Sequence, residues 1–399
     1  MNWRVPLSDV DFGAEEEEAV RQVVKSRWLT MGAVTQEFER EFAAYVGARH
    51  AIAVTNATAA LHLACVAAGL GAGDEAVLPA LTFVATANAV RYAGAVPVFA
   101  DIAGENDLNL SVQAVEACIT PRTRAIVVMH YGGYACDMPA ILALAERHGL
   151  IVIEDAAHAI GSELDGRMLG TWGSIGCYSF FSNKNMTSGE GGMLVTNDDR
   201  LAERLRLLRS HGMTSLTWDR HKGHAWSYDV VDLGYNYRID EIRSALGRVQ
   251  LRKLPRNNQL RREKTALYRR LLAECCPAVS VPFDGHEGVS ACHLLPILLP
   301  AGAPREAFME AMKAQGVQTS IHYPPVHRFS GYRRLNLPGA SNLPQTEALA
   351  AREVTLPLYP ALPDDAIRFV VEAVQTSLAG AAQAARNVPK ISRNLRDDA

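Results

Sequence analysis

The sequence predicts an α/β protein, a mainly parallel sheet with helices packed on both of its faces. Three observations carry that expectation. Short apolar runs of strand length alternate with longer amphipathic or alanine-rich runs of helix length through the first half of the chain. A second, smaller α/β unit follows a long helical stretch near residue 250. The bulk also suffices, because 399 residues that are 48% hydrophobic can bury one large core and a smaller one. We therefore expect a large domain over residues 1–250, a small C-terminal α/β domain over 251–380, and a loosely ordered polar tail over 381–399.

The composition removes several functional classes. A formal net charge of -3 gives no global attraction to nucleic acid or to anionic membranes, so an anionic ligand must be met by local cations. Seven scattered cysteines without a Cys-x-x-Cys pair read as reduced thiols. The opening Met1-Asn2-Trp3-Arg4-Val5-Pro6 lacks an apolar segment, and a cytoplasmic location is expected. Residues 51–73 are free of charge, but Thr55-Asn56-Ala57-Thr58 interrupts them, which favours a strand, a turn and a buried helix over a membrane span. No metal-ligand spacing and no internal repeat is visible.

Taken in order, Gly13 to Ser26 reads as an amphipathic helix with Ala19, Val20, Val23 and Val24 inward. Glu15 to Glu18 form a solvated acidic first turn that suits the helix dipole. The loop Arg27-Trp28-Leu29-Thr30-Met31-Gly32-Ala33 follows, with Trp28 open to either core packing or ligand contact. Ala51 to Thr55 is a strand. The helix that opens at Asn56-Ala57-Thr58-Ala59 offers unpaired N–H groups beside a hydroxyl, which makes a phosphate site. Asn56 or Thr58 can cap the same helix. Strands are expected from Glu75 leading to Phe83, at Val96 to Asp101, at Ala125 to Met129 and in the apolar run at Ile151. Further on, Trp218 to His224 reads as a polar, mobile loop and Ile239 to Leu272 as a long helix bridging the domains. His293 to Leu299 is an edge or bulged strand because of Pro296. Arg305 to Gln315 is a helix bracketed by Pro304 and Gly316. Val317 to Tyr323 is a strand running into Pro324-Pro325.

Two stretches carry chemistry. In Leu150-Ile151-Val152-Ile153-Glu154-Asp155-Ala156-Ala157-His158 an apolar strand ends in acid, two small residues and a histidine. Ligands of open α/β sheets lie beyond the carboxyl ends of strands, which is where Asp155 stands. A buried carboxylate there would keep a pyridine nitrogen protonated and make its ring an electron sink. In Tyr178-Ser179-Phe180-Phe181-Ser182-Asn183-Lys184 one lysine follows an aromatic strand end, and the glycine-bearing loop Thr187-Ser188-Gly189-Glu190-Gly191-Gly192 turns back after it. Desolvation there favours the neutral amine that attacks a carbonyl to form a Schiff base. Lys184, Asp155 and the phosphate cradle together point to pyridoxal 5'-phosphate.

The segments Glu154-Asp155-Ala156-Ala157-His158-Ala159, Ser179-Phe180-Phe181-Ser182-Asn183-Lys184-Asn185 and Gly234-Tyr235-Asn236-Tyr237-Arg238 resemble those of the DegT/DnrJ/EryC1/StrS family of aminotransferases acting on nucleotide sugars, and the resemblance runs from about Val5 to about Leu378. It implies the fold type I architecture, with a seven-stranded sheet in the large domain and a homodimer sharing its active sites. It implies amino transfer from an amino acid, glutamate by family habit, to a nucleotide-linked keto sugar. The cofactor would alternate between pyridoxal 5'-phosphate and pyridoxamine 5'-phosphate. By the same resemblance Lys184 and Asp155 are catalytic, and Thr58, Ala59 and Ser179 hold the phosphate. Phe83 and Ala157 flank the pyridine ring, His158 contacts the phenolic oxygen, and Asn236 reaches the partner's phosphate. Trp28, Thr30, Arg238, His322 and Tyr323 lie on the substrate side, with Arg238 as an anion clamp. The chain departs from the family at Ala33, where proline is usual, and at Ala57, where glycine is frequent. The Thr187 to Gly192 loop looks like that of members aminating C4 rather than C3. Rival readings are a dehydratase branch, disfavoured because it resembles a histidine at the position of Lys184, a branch forming an aromatic amine, and a non-catalytic regulatory protein on the same scaffold.

Overall fold

In the computed structural model, which describes residues 3–215 and 227–387, seven strands form one sheet. They are β1 (His50–Val54), β2 (Glu75–Pro79), β3 (Val96–Ala100), β4 (Thr123–Met129), β5 (Ile151–Asp155), β6 (Ile175–Ser179) and β7 (Gly192–Thr196). Their spatial order is β3-β2-β4-β5-β6-β7-β1. From β3 to β6 every pairing is parallel, and β7 alone runs antiparallel to both of its neighbours. The expected mainly parallel seven-stranded sheet is therefore present, with a single reversed strand.

The strands read as continuous apolar runs because both faces of the sheet are covered. Alternate residues go to opposite cores. Ile52, Leu78, Ile153, Cys177 and Leu194 pack against α3 (Ala57–Ala67), α4 (Val84–Tyr92) and α7 (Asp199–Arg209). Ala53, Val77, Val128, Tyr178 and Val195 pack against α2 (Ala33–Val46), α5 (Val112–Cys118) and α6 (Met138–His148). A one-residue slip of any central strand would exchange these two sets, so the register is tightly specified.

The helix α8 (Glu241–Cys275) is 35 residues long and joins two cores. Its Leu251 and Leu254 pack with the sheet, whereas Tyr268, Leu271 and Leu272 pack with the C-terminal unit. Residue 250 thus lies inside one continuous helix shared by both lobes. The C-terminal unit contains the antiparallel pair β8 (Leu295–Leu298) and β9 (Glu353–Leu356), flanked by α9 (Arg305–Ala314) and α10 (Asp364–Asn387). In a two-stranded ribbon each strand is an edge, which accommodates Pro296 opposite Thr355.

Three local expectations need correction. Residues 317–323 do not form a strand, because Val317 bridges Val5 while Ser320 bridges Thr355, and two unrelated partners cannot make one continuous ladder. In α1 (Ala14–Ser26) Val24 is exposed, and Glu16, expected in solvent, is buried. Lys253 from α8 meets the Glu16 carboxylate at 2.8 Å, and Gln250 donates to it at 2.8 Å. Neighbours distant in the chain therefore make burial of that charge tolerable. The last helix continues to Asn387, beyond the point where the polar composition suggested loosening. The polar loop expected at Trp218 to His224 lies outside the described residues.

Candidate active site

The carboxyl ends of β1, β2, β5 and β6 open on one edge of the sheet, and the residues singled out above gather there. Asp155 and Ser179 are the last residues of β5 and β6. Thr58 and Ala59 open α3 just after β1, and Phe83 caps α4 just after β2. The reversed strand β7 enters from the same end at Gly192. A Cβ on Gly192 would lie 2.6 Å from the Asn56 carbonyl carbon, so only glycine lets the loop after Lys184 close against the start of α3.

Lys184 is fixed by its neighbours. Phe180 is fully buried, with its ring 5.3 Å from Phe38 and 5.6 Å from Phe42. The Thr187 hydroxyl donates to the Phe180 carbonyl at 3.1 Å, and the Ser188 N–H donates to it at 3.0 Å. The Lys184 N–H donates to the Phe181 carbonyl at 3.0 Å and closes a turn that carries the side chain over the strand end. Burial lowers the Lys184 ammonium from 10.5 to about 8, and the charge of Asp155 works in the opposite direction. At that value about a tenth of the amine is neutral and nucleophilic at pH 7, against less than about a thousandth for a solvated lysine. Addition of pyridoxal phosphate to cofactor-free protein should accelerate roughly tenfold per pH unit below a midpoint near 8 and then level off. Stopped-flow absorbance checks this, and a midpoint near 10 would show that the amine is solvated.

Asp155 is buried, accepting from the Thr86 hydroxyl at 2.8 Å and from the Ala157 N–H at 3.2 Å. Burial raises its carboxyl, while these two hydrogen bonds and the charges of Lys184 and His130 hold part of that rise back. The adjacent Glu154 points to the other face, as strand alternation requires. There it accepts from the Gly170 N–H at 2.6 Å and the Gly173 N–H at 2.5 Å and meets His130 at 3.0 Å. Of the two acids, only Asp155 faces the lysine.

The small lobe completes the site. Tyr323 brings its hydroxyl to 2.9 Å from His158 Nε2 and its ring to 5.7 Å from Phe83. His158 Nδ1 accepts from the Gly132 N–H at 3.3 Å, so both ring nitrogens have partners within the chain. Burial, with the charge of Lys184, holds the His158 imidazolium well below its ordinary range and leaves the ring neutral. Phe83 keeps 54% of its surface exposed, an apolar ring facing open space at the mouth of the site. Ser179 Oγ accepts from the Phe181 N–H at 3.3 Å. Asn56 caps α3 by accepting from the Ala59 N–H at 2.8 Å, so the uncommitted N–H groups of that helix start precede Ala59.

A second cluster sits around the end of β1. Arg238 bridges Val54, Thr30 bridges Asp240, and the Glu241 N–H donates to the Leu29 carbonyl at 2.9 Å. Trp28 lies over Gly32, where a Cβ would come 2.5 Å from Nε1. Burial and the nearby Arg209 lower the Arg238 guanidinium, and among the described residues no carboxylate pairs with it. Asn236 is exposed and bridges Ser210. Within one chain, Trp28, Thr30 and Asn236 make no described contact with Lys184 or Asp155.

Sequence reasoning missed Thr86, Asn185, His293 and Glu353. Thr86 stands one turn after Phe83 on α4, a spacing that puts both at the strand ends. His293 Nδ1 meets Asn185 Oδ1 at 2.9 Å, and its ring lies 4.5 Å from that of His158. Glu353 leaves a signal in hindsight, as the lone acid in the fully buried strand Glu353-Val354-Thr355-Leu356.

These residues fit a pyridoxal phosphate group. A buried carboxylate that forms no ion pair with a described lysine or arginine suits a cationic ring nitrogen, a desolvated amine faces it, and a capped helix start offers N–H groups for phosphate. Fold and site together define a pyridoxal-phosphate-dependent enzyme of fold type I. More narrowly, the chain belongs to the DegT/DnrJ/EryC1/StrS aminotransferase family, whose model matches residues 10–375. It is 41% identical over 391 residues to the spore coat polysaccharide biosynthesis protein SpsC of Bacillus subtilis, covering 95% of this chain and 98% of that one. Among solved structures, PseC of Helicobacter pylori, an aminotransferase involved in pseudoaminic acid biosynthesis, superposes with a TM-score of 0.87. The identity is 29%, and the match covers 95% of this chain and 100% of PseC. DesI, solved in the presence of its TDP-sugar product, gives a TM-score of 0.85 at 35% identity, covering 96% of this chain and 95% of DesI.

Proposed function

We propose that this aminotransferase moves an amino group from L-glutamate to a nucleotide-linked keto sugar, at C4 of the sugar. The observation that carries the reading is the opposition of Lys184 and Asp155 across the strand ends, each sensing the other's charge. The sugar side is supported by DesI with its TDP-sugar product and by the polysaccharide and pseudoaminic acid roles of SpsC and PseC. Arg238, a guanidinium without a described carboxylate partner, suits a diphosphate. The loop Thr187 to Gly192 supports C4 by its likeness to members acting there.

When bound, the pyridine ring supplies an electron sink for the pair left at the donor's Cα. Asp155 holds a hydrogen at the ring nitrogen by its negative charge. Lys184 anchors the coenzyme between turnovers and, once released, takes the proton from the donor's Cα and returns one to the coenzyme's C4′. With the keto sugar the same amine works in the reverse sense. Thr58 and Ser179 hold the phosphate, with Ala59 beside them although its own N–H serves the Asn56 cap; Phe83 and Ala157 confine the ring, and His158 lies toward the phenolic oxygen. His322 and Tyr323 close the substrate side.

Each site is completed by a second copy of the chain, with Asn236 reaching the partner's phosphate. Exposed apolar side chains support this, among them Phe181 beside Lys184, and Val230, Val231 and Leu233 before Asn236. Incubation with glutamate and 4-keto and 3-keto nucleotide sugars, followed by NMR of the product, tests the regiochemistry. The expected product carries nitrogen at C4. Turnover of the 3-keto substrate alone would contradict that assignment.

A further inference from the structure

Behind the substrate-side histidine runs a short chain of hydrogen bonds that the reaction as described does not use. Glu353, the first residue of β9, is 1% exposed, and none of its oxygens forms an ion pair with a described lysine or arginine. Its Oε2 accepts from the His322 backbone N–H at 2.9 Å. Its Oε1 lies 2.6 Å from Thr355 Oγ1, and Thr355 Oγ1 lies 2.8 Å from His322 Nδ1. His322 lines a small cleft together with Asn183, His293 and Thr355. No described residue bonds to its Nε2.

A hydroxyl donates once, so this chain has only two self-consistent directions. If Glu353 is ionised, Thr355 donates to it, and Thr355 must accept from His322. The ring hydrogen then sits on Nδ1, and Nε2 is a bare acceptor. If Glu353 is protonated, its hydrogen sits on Oε1, because Oε2 is already committed to a backbone N–H. The acid then donates to Thr355, Thr355 donates to Nδ1, and the ring hydrogen moves to Nε2. We propose that Glu353, acting through Thr355, is a positioning residue that decides whether His322 faces the substrate as a hydrogen-bond donor or as an acceptor.

The electrostatics make both directions reachable. Burial raises the Glu353 carboxyl to about 8, against the hydrogen bonds from Thr355 and His322 and the charge of Arg305 on α9. Burial and the charge of Lys184 hold His322 at about 4, so its ring stays neutral while Glu353 titrates. Around them face the Tyr131 and Tyr323 hydroxyls, both pushed upward mainly by burial, and the neutral rings of His158 and His293. Below pH 8 the protonated acid makes Nε2–H a donor, and above it Nε2 is an acceptor.

The role of His322 toward substrate rests on the proposed sugar reading, but the coupling is measured without any sugar. Holoenzyme labelled with 15N-histidine is followed by long-range 1H–15N correlation from pH 6.5 to 9.5, with the His322 ring assigned from His322→Gln. The hydrogen should move from Nε2 to Nδ1 with a midpoint near 8. Glu353→Gln places an amide N–H where the acid proton would be, so His322 should remain protonated at Nε2 throughout. Thr355→Val should abolish the response while leaving the lobe folded. A wild-type ring that keeps one tautomer across the range, or a Glu353→Gln ring that still titrates like wild type, overturns the proposal. Either result leaves the aminotransferase reading intact, which fails only if nitrogen transfer itself fails.

Discussion

Lys184→Ala protein is expected to fold, to bind pyridoxal phosphate without attaching it, and to lose more than about a thousandfold in turnover. Folding survives because the lysine is an electrostatic burden. Burial holds its ammonium down to about 8, so exchange for alanine removes a desolvated cation rather than a stabilising contact. Turnover is lost because one amine both anchors the coenzyme and shuttles the proton at the donor's Cα, and among the described residues no second lysine stands at these strand ends. The readout is single-turnover conversion with glutamate, followed by coenzyme absorbance. Arginine at 184 would keep a cation there but supply no nucleophile, so it should fail equally. Wild-type turnover in either variant would refute the assignment.

Asp155→Asn is the second large effect, expected at about 10² to 10³-fold in turnover with weakened but measurable coenzyme binding. Asparagine is nearly isosteric and keeps an acceptor for Thr86 or Ala157, so the site should retain its shape. What disappears is the negative charge that holds a proton on the ring nitrogen. Thr86→Val separates charge from support. It removes the 2.8 Å hydrogen bond but leaves the carboxylate, and a loss of about tenfold or less is expected. Equal losses in the two variants would mean that the hydrogen bond, rather than the charge, matters.

Asp155 and Lys184 are legible in the chain because Asp155 ends one strand and Lys184 follows closely on the end of another, and the carboxyl ends of parallel strands are where such a fold presents chemistry. Their signals are local. An apolar run stops at an acid, and an aromatic run stops before a lysine. The buried acids are harder to read, since their burial depends on partners far away in sequence. Glu16 sits in an acidic run that reads as solvated, and only Lys253 and Gln250 on α8 reveal otherwise. Thr86 supports Asp155 across a helix and a strand that periodicity treats separately. Residues 317–323 have the composition of a strand, yet bridges to Val5 and Thr355 on unrelated segments deny them a ladder. His322 and Tyr323 are recognisable as site residues through family resemblance. The contacts of His322 with Glu353 and Thr355 emerge only when β9 is laid beside residue 320, and that of Tyr323 with His158 only when the small lobe is folded against the large one.

Borohydride reduction of the holoenzyme, followed by proteolysis and mass spectrometry, bears most directly on the pairing of one amine with one carboxylate. Reduction should fix the coenzyme mass on the peptide containing Lys184, and prior addition of glutamate should abolish the label by releasing that amine. A label on a different lysine, or none in protein that transfers nitrogen, would contradict the account.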